Sequence, residues 1–156
     1  MVEESLLTED VRAHIGKTAD RGLARVTPQA LLRASETYFG APWEPAPAHG
    51  EPVPGIVVAA LETESFGLEM PSVMPNSLLI SNEWQFERQL RMGEELEVQA
   101  RLADISERFG GRFGYSLYFR SEVEFREPGT DTVVARSSQT MMQYDAASAA
   151  GGGDEE

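Results

Sequence analysis

The chain has 156 residues, 41% hydrophobic and 25% charged, which fits one domain around a single core. Its 13 basic and 26 acidic residues leave a net charge of −13, a surface that repels phosphate backbones and argues against nucleic-acid binding. There is no cysteine, which excludes disulfides, thiol nucleophiles, thiolate zinc sites and iron–sulfur clusters.

Residues 1–10 are acidic and are expected to be flexible. The start, Met-Val-Glu-Glu, lacks the basic and apolar regions of a signal peptide, and no stretch approaches the ~20 apolar residues of a membrane span. A cytoplasmic protein without membrane contact is the expectation. Val11 to Lys17 reads as a short strand or a turn of helix. Thr27 to Gly40 is the clearest helix. Thr27 can cap its first turn, Pro28 stands where a missing N–H is harmless, and Leu31, Ala34 or Ser35, and Tyr38 repeat at helical spacing before Gly40.

The prolines at 42, 45, 47, 52 and 54 make the next segment a loop. Gly55 to Leu61 is apolar enough for a buried strand or helix. Its continuation through Glu62-Thr63-Glu64-Ser65-Phe66-Gly67 favours a helix of about a dozen residues. A further loop runs through Pro71 and Pro75. Beyond it, period-two alternation marks strands around Trp84–Arg88, Leu96–Leu102, Tyr115–Phe125 and Thr132–Tyr144, each with one wet and one buried face. Met92-Gly93-Glu94, Gly110-Gly111 and Pro128-Gly129 supply turns. Residues 146–156 are expected to be a disordered acidic tail, leaving 11–145 as the folded domain. The plan is α+β: two helices, then a long antiparallel sheet that can curl around the apolar one.

Several segments, in order and spacing, resemble the MaoC-like dehydratases and hydratases, in particular their N-terminal, FAS1-like type. They are Val11–Lys17, the helix from Thr27, Ala48-His49-Gly50 leading to Pro54-Gly55-Ile56-Val57, Glu83-Trp84-Gln85-Phe86-Glu87-Arg88-Gln89-Leu90-Arg91-Met92-Gly93-Glu94-Glu95-Leu96, and Ala103–Arg108. The Glu83 segment is similar to that family's E-x-x-F-x-R-P-L-x-x-G-D-x-L. The resemblance covers roughly 11–144 and implies a hot-dog fold, with a long sheet wrapped around a buried central helix and paired into dimers. It further implies hydration of 2-enoyl thioesters of coenzyme A or acyl carrier protein, or the reverse dehydration. Active members use Asp and His in D-x-N-P-x-H as acid and base. Backbone N–H groups at the start of the buried helix, here Gly55, Ile56 and Val57, would meet the thioester oxygen.

The sequence departs from that pattern where the chemistry lies. No aspartate has a histidine five positions later. Glu44 and His49 have the D-x-N-P-x-H spacing with Pro47 in place, a degenerate candidate pair, but Glu9 and His14 share that spacing without such a context. Chains of this type that lack the pair act as the substrate-binding half of a heterodimer. The favoured expectation is therefore a subunit of an enoyl-thioester hydratase or 3-hydroxyacyl dehydratase, whose partner is a second MaoC-like hot-dog chain. A self-sufficient hydratase using Glu44 and His49, a non-catalytic acyl-thioester binder and a hot-dog thioesterase are the alternatives. Arg88 and Arg91 are candidates for coenzyme phosphates, or for pairing with Glu87 or Glu94. The loop from Gly67 to Ser81, with Met70, Val73 and Met74, could shape an acyl tunnel. No metal site and no bound cofactor are expected, the thioester entering as substrate.

Overall fold

A computed structural model describes residues 4–65 and 67–150. Four long strands and one shorter strand build the sheet: β1 (Thr18–Arg25), β3 (Asn76–Phe86), β5 (Glu95–Arg108), β6 (Ser116–Arg126) and β7 (Val133–Tyr144). They pair antiparallel throughout, in the order β1-β5-β6-β7-β3. Two short pieces, β2 (Pro52–Val53) and β4 (Leu90–Arg91), form a separate ribbon.

The alternation in β5 works as read. Leu96, Val98, Ala100 and Leu102 are buried, and a bulge between Leu102 and Asp104 then turns Ile105 inward and leaves Asp104 exposed. Without that extra residue the second half of the strand would send its charges inward. On the inner face the apolar side chains fall into two clusters. One gathers Val98, Leu96, Phe125, Val134 and Ala135 with Ala30, Leu31, Val53 and Val57. The other gathers Leu102, Ile105, Leu117 and Phe119 under Leu7 and Tyr115.

Helix α2 (Pro28–Phe39) has the predicted ends. The Thr27 hydroxyl accepts the Ala30 N–H at 3.1 Å, and Gly40 closes the helix at φ +72°, a left-handed conformation that suits glycine. It buries Ala30, Leu31, Ala34 and Ser35.

Four expectations change. The helix predicted from Gly55 is a 3₁₀ helix of six residues, Gly55–Ala60. Three reasons are visible. Ile56, Val57 and Val58 are β-branched and weak helix formers. Leu61 is already extended at φ −67°, ψ 133°. The following residues are held instead by β1: Glu64 N–H donates to Arg21 O at 3.0 Å, the Arg21 guanidinium to Thr63 Oγ1 at 3.0 Å, and the Ser65 hydroxyl to Asp20 O at 3.3 Å. The N-terminus is also less free than expected. Leu7 is buried in the second cluster, and a one-turn helix α1 (Glu9–Arg12) follows it, while residues 1–3 lie outside the described residues. The expected tail begins with a short helix α3 (Ala146–Ala150), whose Ala146 N–H donates to Asn76 Oδ1 at 3.0 Å; residues 151–156 lie outside the described residues. Finally, β1 has no counterpart in the sequence reading, and β3 begins at Asn76, within the stretch read as loop.

Candidate functional site

Three recesses carry the residues of interest. The first lies on the inner face of the sheet, where the six-residue 3₁₀ helix stops short. It is a cavity of about 240 Å³. Val58, Ala59 and Leu61 wall it on one side, and Val123 and Phe125 on the other. Asn82 and Trp84 of β3 and Ser137 and Gln139 of β7 supply the rest, with Tyr38 of α2, Arg21 and Thr63. Ser137 is 7% exposed and lies deep, whereas Asn82 and Tyr38 are exposed and stand at the mouth. Because β3 is an edge strand, the mouth lies at the sheet's unpaired border. Among the described residues no histidine, aspartate or glutamate lines this cavity.

The second recess is a shallow cleft beside the Met92-Gly93-Glu94 turn. His49, Arg88, Arg91, Gly93 and Glu94 line it. Gly93 sits at φ +87°, and a Cβ there would come within 2.2 Å of His49 Nδ1, so the imidazole lies directly against the turn. Arg88 is fully engaged inside the chain. It pairs with Glu94, donates from Nε to Glu127 Oε1 at 3.1 Å, and donates from Nη1 to Gln89 O at 3.0 Å. The Glu94 carboxylate, as its strongest hydrogen-bond partner, holds the guanidinium even more firmly protonated than usual. Arg91 donates to Gly50 O at 2.9 Å and makes no ion pair among the described residues. Of the two arginines proposed for phosphate, Arg91 is the freer.

The third recess, about 430 Å³, lies between Pro28, Leu31 and Leu32 of α2 and the proline loop with Trp43 and Glu44. Glu44 lines this recess, whereas His49 lines the second. The other histidine, His14, bonds from Nδ1 to Asp10 O at 3.0 Å, at the far N-terminal turn. Among the described residues no hydrogen bond or ion pair joins Glu44 to His49.

Of the Gly55, Ile56 and Val57 amides, the last is already engaged within the chain. The Val57 N–H is spent on Pro54 O at 3.1 Å, and its side chain is fully buried. Six residues of 3₁₀ helix align few peptide dipoles, so the charge-stabilising end of a long helix is missing. Gly55 has a packing role: a Cβ there would meet the Phe86 ring at 2.9 Å. Met70, Val73 and Met74 pack over the Leu102–Phe119 cluster, not in the cavity.

Sequence reasoning missed the residues that line the cavity. The signal was present in register. Ala135, Ser137 and Gln139 share one face of β7, so a run that begins apolar turns polar at positions that should be core.

No family model matches the sequence, and no curated protein matches it. Solved structures match its shape. A chain of the ChsH1–ChsH2 complex from Mycobacterium tuberculosis aligns with a TM-score of 0.63 at 14% identity, over 87% of this chain and 92% of that one. A chain of the HadBC (3R-hydroxyacyl-ACP dehydratase) complex from the same organism aligns at 0.54 and 11% identity, over 83% and 96%. A MaoC-like dehydratase aligns at 0.54 and 14% identity, over 88% of this chain and 44% of that longer one. The chain has the hot-dog fold of the MaoC-like dehydratases. No helix among the described residues is long and apolar enough to cross a membrane.

Proposed function

We propose that this chain is the substrate-binding subunit of an enoyl-thioester hydratase or 3-hydroxyacyl dehydratase, working with a second hot-dog chain that brings the acid and base. One observation carries the reading. The inner-face cavity is furnished to bind but not to move protons, since Asn82, Trp84, Ser137 and Gln139 line it and, among the described residues, no carboxylate or imidazole does. Adding water across a conjugated double bond needs a base for the water at C3 and an acid for the proton at C2. Those groups must come from outside this cavity. Its mouth lies along the edge strand β3, so a chain docked there could present them.

The border itself invites such docking. Leu78, Leu79 and Ile80 are all exposed on β3 and leave unpaired backbone groups beside apolar side chains. Two of the similar structures are complexes of two named components, ChsH1–ChsH2 and HadBC, which supports a heteromeric assembly. The substrate in this reading is an acyl-CoA or acyl-carrier-protein thioester, handled in the cytoplasm. Arg91, the less engaged arginine of the His49 cleft, is the better candidate for a coenzyme phosphate.

The test is hydration of a medium-chain 2-enoyl-CoA, followed by loss of the conjugated thioester absorbance. The purified chain should be inactive alone and active when co-expressed with a MaoC-like chain carrying D-x-N-P-x-H. Turnover by the chain alone would overturn the binding-subunit reading, and the Glu44 and His49 variants would then be made first.

A further inference from the structure

The inner face of the sheet holds a row of hydrogen-bonding groups where a packed core would have none. Register aligns it: Asn82 of β3 stands opposite Gln139 of β7, and Gln139 stands opposite Ser121 of β6. The next row on the same face is Trp84, Ser137 and Val123. This polar band runs between the two apolar clusters, with Phe125 and Ala135 on one side and Ile105 and Phe119 on the other. Tyr38, Asn82, Ser137 and Gln139 all face the cavity and take no part in the side-chain hydrogen bonds found among the described residues.

Ser137 and Gln139 reach the cavity with polar atoms that make no side-chain hydrogen bond among the described residues and are available to a ligand, and no core-packing need explains placing them here. The cavity of about 240 Å³ exceeds the roughly 150 Å³ that accommodates a benzene ring, so it has room for a ring or a short branched fragment. We infer that the cavity selects acyl groups bearing a hydroxyl or keto oxygen remote from the thioester, with Ser137 and Gln139 hydrogen-bonding that oxygen while Trp84, Val123 and Phe125 hold the carbon skeleton. This rests on the thioester-binding reading above and adds the class of acyl group. A site built to bond an oxygen discriminates against the plain alkyl analogue, because the analogue leaves its donors unpaired.

The experiment is calorimetric titration of the full chain with octanoyl-CoA, ω-hydroxyoctanoyl-CoA, ω-oxooctanoyl-CoA and free coenzyme A. The same ligands are applied to Ser137→Ala and Gln139→Leu after circular dichroism has verified that both variants fold. The oxygenated thioesters should bind roughly tenfold more tightly than octanoyl-CoA, and Gln139→Leu should erase that preference while leaving octanoyl-CoA binding equal or better. Equal affinity of all three thioesters for the wild type would overturn the inference and leave the thioester reading standing. So would a uniform loss in Gln139→Leu that extends to free coenzyme A, which would assign the polar band to the pantetheine arm. Binding of none of the thioesters would remove the thioester reading itself, and this inference with it.

Discussion

The Tyr115 hydroxyl donates to Glu107 Oε2 at 2.5 Å, and this contact fastens the N-terminal segment to the sheet. The Ser5 hydroxyl donates to the same oxygen at 2.6 Å, while the Tyr115 oxygen accepts the Leu6 N–H at 2.8 Å. The Ser5 and Tyr115 donors favour the ionised carboxylate and hold the Glu107 pKa below its ordinary value of 4.5; burial, then the bond to Glu107, pushes the Tyr115 phenol up. A carboxylate depressed in the folded state contributes stability above its unfolded pKa and loses it as pH falls through the folded one. Stability should therefore drop on acidification below about pH 4.5, and Glu107→Gln should flatten that part of the curve. Tyr115→Phe should cost about 1 kcal/mol at neutral pH and speed amide exchange at Leu6. A mutant whose acid limb matches the wild type would show that the contact contributes nothing.

Ser35 offers the opposite sign. It is fully buried on α2, and its Oγ has no hydrogen-bond partner among the described residues. Ser35→Ala removes an unsatisfied hydroxyl and installs a better helix former, so a gain of about 1 kcal/mol is expected. The urea midpoint should rise with the slope unchanged.

Gly93 is constrained twice, by its left-handed backbone and by the His49 ring where a Cβ would sit. Gly93→Ala should destabilise by about 1–2 kcal/mol from the backbone alone, with more from the clash. In a His49→Ala background the clash component should vanish and the backbone component remain. A double-mutant cycle separates the two, and strict additivity would contradict the packing described.

At the edge of the sheet, Leu79→Lys should leave the chain folded and abolish its association with a hot-dog partner. Sedimentation of the mixed chains reads this directly. Retained complex would move the interface elsewhere, the exposed Leu32, Phe39 and Trp43 around α2 being the next surface to test.

Much of the fold was legible because it rests on local rules. The Thr27–Pro28 start and Gly40 stop of α2 are backbone chemistry, and β5 and β6 follow from strict alternation. β1 was not legible: its eight residues include Asp20, Arg21 and a left-handed Gly22 at a register shift, so no alternation survives. The helix expected from Gly55 failed for another reason. Composition gave an apolar run followed by a glycine, while the actual stop is set by hydrogen bonds to β1, more than forty residues away in sequence. The candidate site suffered from the same limit. Glu44 and His49 were joined by spacing along the chain, whereas Asn82, Ser137 and Gln139 meet only through strand register.

The two apolar clusters share β5 and β6 but are roofed by different stretches of chain. Leu7, Val11 and the loop from Leu68 to Met74 cover one, and α2 with the 3₁₀ helix covers the other. Between them lies the polar band, whose Trp84 and Val123 pack against the cluster under α2. The sheet is thus a common floor under two separately held roofs. Peeling away the first dozen residues would loosen the ends of β5 and β6 nearest Ile105 and Leu117 while sparing those nearest Val98 and Phe125, so that slow amide exchange would resolve two opening energies within single, unbroken strands.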